Sequence, residues 1–172
     1  MLASASGIAA GGFHTCVGRT DGSAWCWGYG ENGQLGDGTT GSPTNHLRAK
    51  PVQVRRGSQD LTSVTGIGSG SYHTCVRRTD ASAWCWGSDD YGQLGDGTTG
   101  DSLTHQRRTA VKVRRPTSSF TGVRKLGGGV GHMCALRIDA YVWCWGYNAN
   151  GQLGRGSSDE DPHPFPLRVT VP

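Results

Sequence analysis

The chain has 172 residues, of which 29 are glycine and six are tryptophan, and its formal net charge is +4. This length allows one domain with a real core, whereas the glycine content and the scarcity of apolar runs disfavour a helical protein. No stretch approaches the roughly 18 consecutive apolar residues of a membrane-spanning helix, and the small positive charge favours solubility more than it indicates an acidic partner.

The predicted elements are short strands separated by turns, and the middle third of the chain shows them most clearly. Strands are expected around residues 64–67, then over residues 72–76 after a glycine-rich step, and over residues 83–87 after a turn at residues 79–82. A polar loop containing GQLGDGTT and a longer variable loop come next, and a Val-rich strand at residues 111–113 closes the series. No segment of useful length has helical periodicity.

These elements occur three times with a strict period of 59 residues. The period holds for two cysteines, a histidine and a GQLG run: Cys16, Cys75 and Cys134; Cys26, Cys85 and Cys144; His14, His73 and His132; and the runs that begin at Gly33, Gly92 and Gly151. One supersecondary unit is therefore built three times. We predict an all-β single repeat domain over residues 1–172, with units at about 1–60, 61–119 and 120–172, in preference to a β-sandwich, whose hairpins need not repeat.

Each unit carries two cysteines on either side of a turn. If the strands pair symmetrically about Asp21, Cys16 lies opposite Cys26, and directly opposed residues are close enough for a disulfide. The predicted pairs are Cys16–Cys26, Cys75–Cys85 and Cys134–Cys144. Six cysteines with none left over indicate an oxidising compartment.

Two other interpretations of these cysteines remain open. Each unit offers a His-x-Cys pair and a later cysteine as metal ligands, although the sequence has no Cys-x-x-Cys spacing and no fourth repeated ligand. The thiols are alternatively buried and reduced. We expect no metal and no cofactor.

The repeated tryptophans and histidines are interpreted as structural. Strand alternation directs Trp25 and Trp27 to one face and Cys26 to the other, so the indole rings are expected to pack between units. The tryptophans concerned are Trp25, Trp27, Trp84, Trp86, Trp143 and Trp145. His14, His73 and His132 occur once per unit, whereas a catalytic group is usually needed once, so a structural hydrogen bond is the simpler role. No common nucleophile, phosphate-loop or zinc-protease motif is present, and we predict no catalytic residue.

Three runs together resemble a known family. They are GGFHTCVGRTDGSAWCWGYGENGQLGDGTT from Gly11, GSYHTCVRRTDASAWCWGSDDYGQLGDGTT from Gly70 and GVGHMCALRIDAYVWCWGYNANGQLGRGSS from Gly129. Their glycine, His-Thr, Asp-Gly turn, Trp-Gly and GQLG steps resemble the repeats of the regulator of chromosome condensation family, over essentially the whole chain. The resemblance implies a β-propeller of about seven blades. The three units would then be three blades of four short antiparallel strands each, an incomplete ring.

The resemblance also bears on location and association. Each unit has a pair of cysteines, the second of which lies in a Trp-Cys-Trp-Gly strand. This combination is similar to the extracellular bacterial branch of the family, which implies an extracellular or cell-surface location. The opening residues lack the basic start and apolar stretch of a signal peptide, so we expect a mature form, a piece of a longer protein or a cytosolic chain. Two terminal faces would stay exposed on three blades, and self-association follows as an expectation, either by ring closure or as a head-to-tail fibre. Arg155, where Asp37 and Asp96 stand in the other units, marks a divergent last unit that is expected to be a partial cap.

We therefore expect a non-catalytic extracellular structural or protein-interaction module whose partners are itself and another protein. Recognition is expected in the variable segments Thr44–Lys50 and Ser102–Thr109. The alternative is a fragment of a nuclear-type nucleotide-exchange or chromatin-binding propeller, for which the pairs Arg55-Arg56 and Arg114-Arg115 would contact phosphate. Solvated charge that protects strand edges is the simpler interpretation of these arginines, so neither nucleic acid nor a membrane span is expected.

Overall fold

A computed structural model of the chain describes residues 3–39, 46–100 and 106–170. The first sheet consists of β1 (Ala5–Ala10), β2 (His14–Arg19), β3 (Ala24–Tyr29) and β4 (Leu47–Gln53). The second sheet consists of β7 (Val64–Ser69), β8 (His73–Arg78), β9 (Ala83–Gly87) and β10 (Arg107–Lys112). The third sheet consists of β13 (Val123–Gly128), β14 (His132–Arg137), β15 (Val142–Asn148) and β16 (Asp159–Arg168). Two small hairpins separate the sheets: β5 (Arg55–Arg56) with β6 (Gln59–Asp60), and β11 (Arg114–Arg115) with β12 (Ser118–Ser119).

The all-β prediction of three four-stranded antiparallel blades is confirmed, and the sheets are open and do not close into a ring. We call the three sheets blade 1, blade 2 and blade 3 in chain order. Their first strands lie side by side, β1 next to β7 and β7 next to β13. Over the described part of the chain, no helix exists that has the length and apolarity to cross a membrane.

The fourth strand of the middle unit differs from its prediction. Strand β10 begins at Arg107 and ends at Lys112, because its register on β9 runs from Arg107 opposite Gly87 to Lys112 opposite Trp84. The Arg114–Arg115 pair, for which no element was predicted, forms a two-residue hairpin with Ser118–Ser119. Alternation over three residues was too short a signal to place either end of this strand.

The turn between the second and third strands sets the register that aligns the cysteines. The Asp21 carboxylate accepts hydrogen bonds from the Ser23 backbone N–H at 2.9 Å and the Ser23 hydroxyl at 2.6 Å, so the side chain closes the turn on itself. Cys16 then lies directly opposite Cys26 across β2 and β3. The same opposition recurs in the other blades, and the structure contains the disulfides Cys16–Cys26, Cys75–Cys85 and Cys134–Cys144.

A glycine precedes the histidine of each blade because the imidazole ring lies against its backbone. A Cβ on Gly70 would come within 2.1 Å of the His73 ring and 2.4 Å of the Gly129 carbonyl oxygen. Gly87 has a φ of 109°, and a Cβ there would come within 2.4 Å of the Tyr72 carbonyl oxygen. The glycine-rich steps of the repeat thus allow close approach of strands within a blade and between blades.

Successive blades pack face to face, with the tryptophan face of one blade on the disulfide face of the blade before it. One core cluster joins Cys16, Ala24, Cys26 and Leu35 of blade 1 to Val64, Val76 and Trp86 of blade 2. An equivalent cluster joins Cys75, Ala83, Cys85 and Leu94 of blade 2 to Val123, Met133, Ala135 and Trp145 of blade 3. The hydrophobic core of this protein therefore lies between blades and not within any one of them.

This arrangement predicts unequal costs for two equivalent tryptophans. Trp86→Ala removes an indole that is fully buried between blades 1 and 2 and is expected to cost about 3–5 kcal/mol of unfolding free energy. Trp27→Ala removes the same residue from blade 1, where the indole is partly exposed, and is expected to cost less than half as much. Urea unfolding followed by far-ultraviolet circular dichroism at low protein concentration measures both. Equal losses would contradict the packing described above.

Candidate functional site

The junction between blades is made in the same way twice within the chain. The Trp86 indole N–H donates to the Gln34 carbonyl oxygen at 2.9 Å, and the Trp145 indole N–H donates to the Gln93 carbonyl oxygen at 2.9 Å. A glycine makes room for each ring, since a Cβ on Gly36 would come within 2.9 Å of Trp86. The GQLG run of one blade is therefore the socket for the second tryptophan of the next blade.

Backbone hydrogen bonds join neighbouring blades at two further places, the glycine loop and the hairpin turn. The Gly38 N–H donates to the Arg108 carbonyl oxygen at 2.9 Å, and the Gly97 N–H donates to the Pro164 carbonyl oxygen at 3.1 Å, so each glycine loop is bonded to the outer strand of the next blade. At the hairpin turn, the backbone N–H of the first residue of a blade donates to a carbonyl oxygen in the turn of the preceding blade. The two bonds are Val64 N–H to the Gly22 carbonyl oxygen and Val123 N–H to the Ala81 carbonyl oxygen, both at 2.9 Å. These bonds fix the relative position of neighbouring blades.

The arginine pairs are part of the same junction. The Arg56 guanidinium of the β5–β6 hairpin lies 5.5 Å from the centre of the Trp84 ring in blade 2. The Arg115 guanidinium lies 5.1 Å from the centre of the Trp143 ring in blade 3. These distances are those of cation–π contacts. Arg56 and Arg115 thus recur at the repeat period because each covers a tryptophan of the following blade.

Blade 1 presents a tryptophan face on which no blade is packed. The Trp27 indole is partly exposed, and its N–H makes no hydrogen bond within residues 3–39, 46–100 and 106–170. Ile8 is 70 % exposed, whereas Ile67 at the equivalent position in blade 2 packs into the core between blades. Blade 1 therefore has the inserting half of the junction without a socket.

Blade 3 presents the opposite half. A Cβ on Gly154 would have only Val169 as its nearest neighbour, where the equivalent Gly36 and Gly95 have a tryptophan ring. A Cβ on Gly156 would meet nothing within 4 Å. Val142 is 39 % exposed, although Ala24 and Ala83 at the equivalent positions are fully buried under the next blade. Blade 3 therefore has an empty socket.

Two of the repeated histidines, His14 and His73, lie at the junction with the following blade. His14 Nε2 lies 2.7 Å from the Thr74 hydroxyl oxygen of blade 2, which is a buried hydrogen bond. The position equivalent to Thr74 in blade 3 is Met133, so His73 lacks the hydroxyl partner that His14 has. His14 thus makes a buried side-chain hydrogen bond to the next blade, whereas His73 has only the His132 backbone close to its ring.

Burial keeps the histidines uncharged. It lowers the pKa of His14 to about 4 and, together with the proximity of His14, lowers the pKa of His73 to about 3. The pKa of the half-buried His132 is lowered by burial as well. Rings that stay neutral at pH 7 and are enclosed between strands are poorly placed for proton transfer to a substrate.

Asp89 is a buried carboxyl group that the sequence analysis did not single out. One of its oxygens accepts a hydrogen bond from the Leu94 N–H at 3.0 Å and the other from the Thr98 hydroxyl at 3.2 Å. Burial raises its pKa to about 7 in spite of these bonds. The equivalent residue in blade 3, Asn148, makes the corresponding bond to the Leu153 N–H without a charge. Asp89 therefore closes the GQLG loop at the cost of burying an ionisable carboxyl group, whereas the uncharged Asn148 closes the equivalent loop without that cost.

The described residues contain no group of three or more histidine, cysteine or acidic side chains arranged to hold a metal ion. All six cysteines are in disulfides. The variable segments expected to carry recognition lie only in part within the described residues. Residues 44–45 and 102–105 fall outside them, and the remainder forms the start of strands β4 and β10.

Comparison with known families gives a match over most of the chain. A model of the "Regulator of chromosome condensation (RCC1) repeat" matches residues 21–77, 80–136 and 139–172. A second model with the same description matches residues 5–34, 64–93 and 123–152. Both models find three repeats, in step with the period read from the sequence.

Curated relatives are considerably longer than this chain. The "Ultraviolet-B receptor UVR8" of Arabidopsis thaliana is 30% identical over 161 residues, which are 94% of this chain and 33% of that protein. The "Regulator of chromosome condensation" of Drosophila melanogaster is 29% identical over 143 residues, which are 82% of this chain and 23% of that protein. The chain spans a third or less of the length of these relatives.

Solved structures show the same fold. Human WBSCR16 matches with a TM-score of 0.76 at 20% identity, over 94% of this chain and 37% of its own. Yeast RCC1 (Prp20), solved with Kap60, matches with a TM-score of 0.75 at 21% identity, over 95% of this chain and 36% of its own. At such identities the likeness shows the arrangement of blades and nothing about partners.

Replacing Asp89 by the residue found in blade 3 gives a pH-dependent prediction. The unfolded chain loses the Asp89 proton near pH 3.8 and the folded chain near pH 7, so wild-type stability falls as pH rises through this window. Asp89→Asn is expected to raise the unfolding free energy by roughly 1–3 kcal/mol at pH 8 and by little at pH 4. Urea midpoints at both pH values test this, with the exposed Asp60→Asn as matched control. An equal effect at both pH values would contradict it.

In the Asp89→Asn protein, the effect of the buried histidines on stability can be measured separately, because it has the opposite pH dependence to that of Asp89. Unfolded histidine takes up a proton near pH 6.5, whereas His14 and His73 stay neutral in the folded chain down to about pH 4 and 3. Stability is therefore complete above pH 6.5 and is lost as pH falls from 6.5 toward 4, by at most about 1.4 kcal/mol per pH unit for each histidine. Urea midpoints between pH 8 and pH 5 measure this slope. A flat profile below pH 6.5 would show that the rings are not held neutral.

Proposed function

Because the chain belongs to the regulator of chromosome condensation (RCC1) repeat family, we propose that it is a non-catalytic propeller module that binds proteins, in the first place other copies of itself. Members of a repeat family use neighbouring units to bury one another, and the surfaces left over are available for partners. In this chain the repeated residues build the junctions between blades. The function follows from those junction surfaces that remain open.

One observation carries the self-association proposal: the two ends of the 172-residue chain are the two halves of a junction it already makes twice. The Trp27 indole would donate to the Gln152 carbonyl oxygen of a second copy, as Trp86 and Trp145 donate to their sockets. In the same arrangement His132 would meet Thr15 of the second copy, which restores the pairing of His14 with Thr74. No new type of contact is required.

The third blade departs from the template at the edge of its open face. Val142 and Tyr141 are larger than the alanine and serine residues at the equivalent positions in blades 1 and 2, and both are exposed. The second copy therefore has to sit slightly further out at this edge than blade 2 sits on blade 1. This shift decides between a closed ring of two chains, with six blades, and an open head-to-tail fibre.

The disulfides support an extracellular location. Three disulfides, with every cysteine engaged, suit an oxidising environment and are rare in the cytosol and nucleus. The family resemblance also implies a bacterial protein, and we include that origin in the proposal of an extracellular module. Yeast Prp20p is described together with its binding to Gsp1p and histones. In this chain the recurrent arginines that would face phosphate, Arg56 and Arg115, instead lie against tryptophan rings.

Light scattering coupled to size-exclusion chromatography tests self-association with two complementary variants. Trp27→Ala removes the inserting indole, and Gly154→Asn fills the socket with a residue that tolerates the φ of 63°. We expect the wild type to exceed the 18.2 kDa of one chain and each variant alone to elute at that mass. An equimolar mixture of the two variants retains one intact pair of faces and is expected to form a dimer that grows no further.

Phe13→Ala serves as the control, because it removes an exposed aromatic ring that packs toward Tyr72 of blade 2, away from both open faces. It is expected to associate like the wild type. A wild type that stays at 18.2 kDa at high concentration would overturn the proposal, and so would variants that associate as well as the wild type.

A further inference from the structure

A cluster of aromatic side chains lies at the end of the blades where the first turn and the loop after the third strand come together. Four of the five tyrosines of the chain are in this cluster. Its members are Phe13, Tyr29, Tyr72, Tyr91 and Tyr147, which we call the aromatic cluster. The Tyr91 and Tyr147 ring centres are 4.6 Å apart, and the Phe13 and Tyr72 ring centres are 6.1 Å apart.

The aromatic cluster does not follow the structural repeat. The equivalent of Phe13 and Tyr72 in blade 3 is Gly131, and the equivalent of Tyr29 and Tyr147 in blade 2 is Ser88. All three blades fold with the same strands whether or not these rings are present. Because residues that build the blade recur, these side chains are not needed for the blade itself, which makes them candidates for recognition.

The cluster lines two clefts that open on one surface. The cleft between blades 1 and 2 has a volume of about 470 Å³ and includes Phe13, which is 66 % exposed. The cleft between blades 2 and 3 has a volume of about 630 Å³ and includes Tyr91, Tyr147 and Val130, which is 76 % exposed. Tyr72 separates the two clefts and lines both.

Among the described residues that line the cleft between blades 2 and 3, one has a carboxylate, namely Asp90. The Ser88 hydroxyl donates to Asp90 Oδ2 at 2.9 Å, and the Gln93 amide in turn donates to the Ser88 hydroxyl oxygen at 3.0 Å. Asp90 Oδ1 is enclosed and has no hydrogen-bond partner among the described residues. Oδ1 is therefore out of reach of a ligand, and a cationic N–H donor in the cleft would bond to Oδ2, which keeps an acceptor position besides the one used by the Ser88 hydroxyl.

The charge of the cleft specifies its occupant. The described residues that line it include no lysine or arginine, and burial lowers the pKa of the histidine among them, His132. A carboxylate and tyrosine rings that line one cleft attract a cation through both the carboxylate and the ring faces. The flat guanidinium of arginine also stacks on aromatic rings and donates several N–H bonds at once.

We propose that this cleft binds an arginine side chain on an exposed segment of a partner protein, with the guanidinium paired to Asp90 and stacked on Tyr91 and Tyr147. The tyrosine and amide surroundings are those of protein-recognition surfaces, in which rigid aromatic rings provide contact area and amides provide adaptable hydrogen bonds. The proposal does not depend on self-association, because the cleft lies between blades 2 and 3 of a single chain.

Ligand-observed saturation-transfer NMR on the full chain tests the proposal with two acetylated, amidated pentapeptides. One has arginine at the centre of four glycines, and the other has citrulline, which has the same shape without the charge. This method works on a single chain and on an assembly alike. We expect the arginine peptide to bind at least about tenfold more tightly than the citrulline peptide, the difference expected for one charge-assisted contact.

Two sets of variants locate the binding. Asp90→Asn is expected to abolish the preference for arginine, while the exposed Asp60→Asn keeps it. Tyr91→Phe is expected to keep binding within about twofold, and Tyr91→Leu to weaken it several-fold, because the ring face and not the hydroxyl contacts the cation.

Equal binding of the two peptides, no binding at millimolar concentration or an unchanged preference in Asp90→Asn would overturn the proposal. Methylguanidinium that binds as tightly as the arginine peptide would overturn the assignment to a protein partner. The light-scattering experiment changes Trp27 and Gly154, at the two open ends of the three-blade module. If that experiment shows no self-association, the peptide-binding experiment can still be interpreted.

Discussion

The structure depends on one hydrogen bond and its surroundings, the bond from a tryptophan indole to the carbonyl oxygen of the preceding GQLG run. A four-stranded sheet with two apolar faces cannot bury either face alone. Trp86 and Trp145 solve this by placing an indole ring into a socket on the neighbouring blade, with the ring's only polar group satisfied. The same requirement leaves Trp27 partly exposed, because no blade precedes it within the chain.

The disulfides act on the other side of the same junction. Each one joins two strands of a hairpin whose register is set by an aspartate turn, and those of blades 1 and 2 face the second tryptophan of the following blade. The result is a rigid disulfide face and an inserting tryptophan face on every blade. A module with these two faces has a direction, so the proposed self-association would pair the tryptophan face of one copy with the disulfide face of another.

The repeat also separates structural residues from candidates for recognition. Side chains that recur every 59 residues hold blades together, and this includes arginines that from sequence alone suggested phosphate binding. The aromatic cluster breaks the period, as do Asp89 and Asp90, which stand in only one blade. A period-based interpretation of the sequence favours residues that recur and gives these side chains no role. Their departure from the period is visible in the sequence and is the signal that could have indicated this surface.

The amino-acid sequence by itself determined the number of units, the four strands of each blade and the opposition of the cysteines, because these follow from local patterns of turns and alternation. It did not place the ends of β10 or the hairpin of Arg114–Arg115, where three residues give too little periodicity. Only the tertiary structure decided which tryptophan meets which carbonyl, since that partner lies 52 residues away. It also brought the turn at residue 72, the loop at residue 91 and the strand at residue 147 around one carboxylate, which no spacing along the chain encodes.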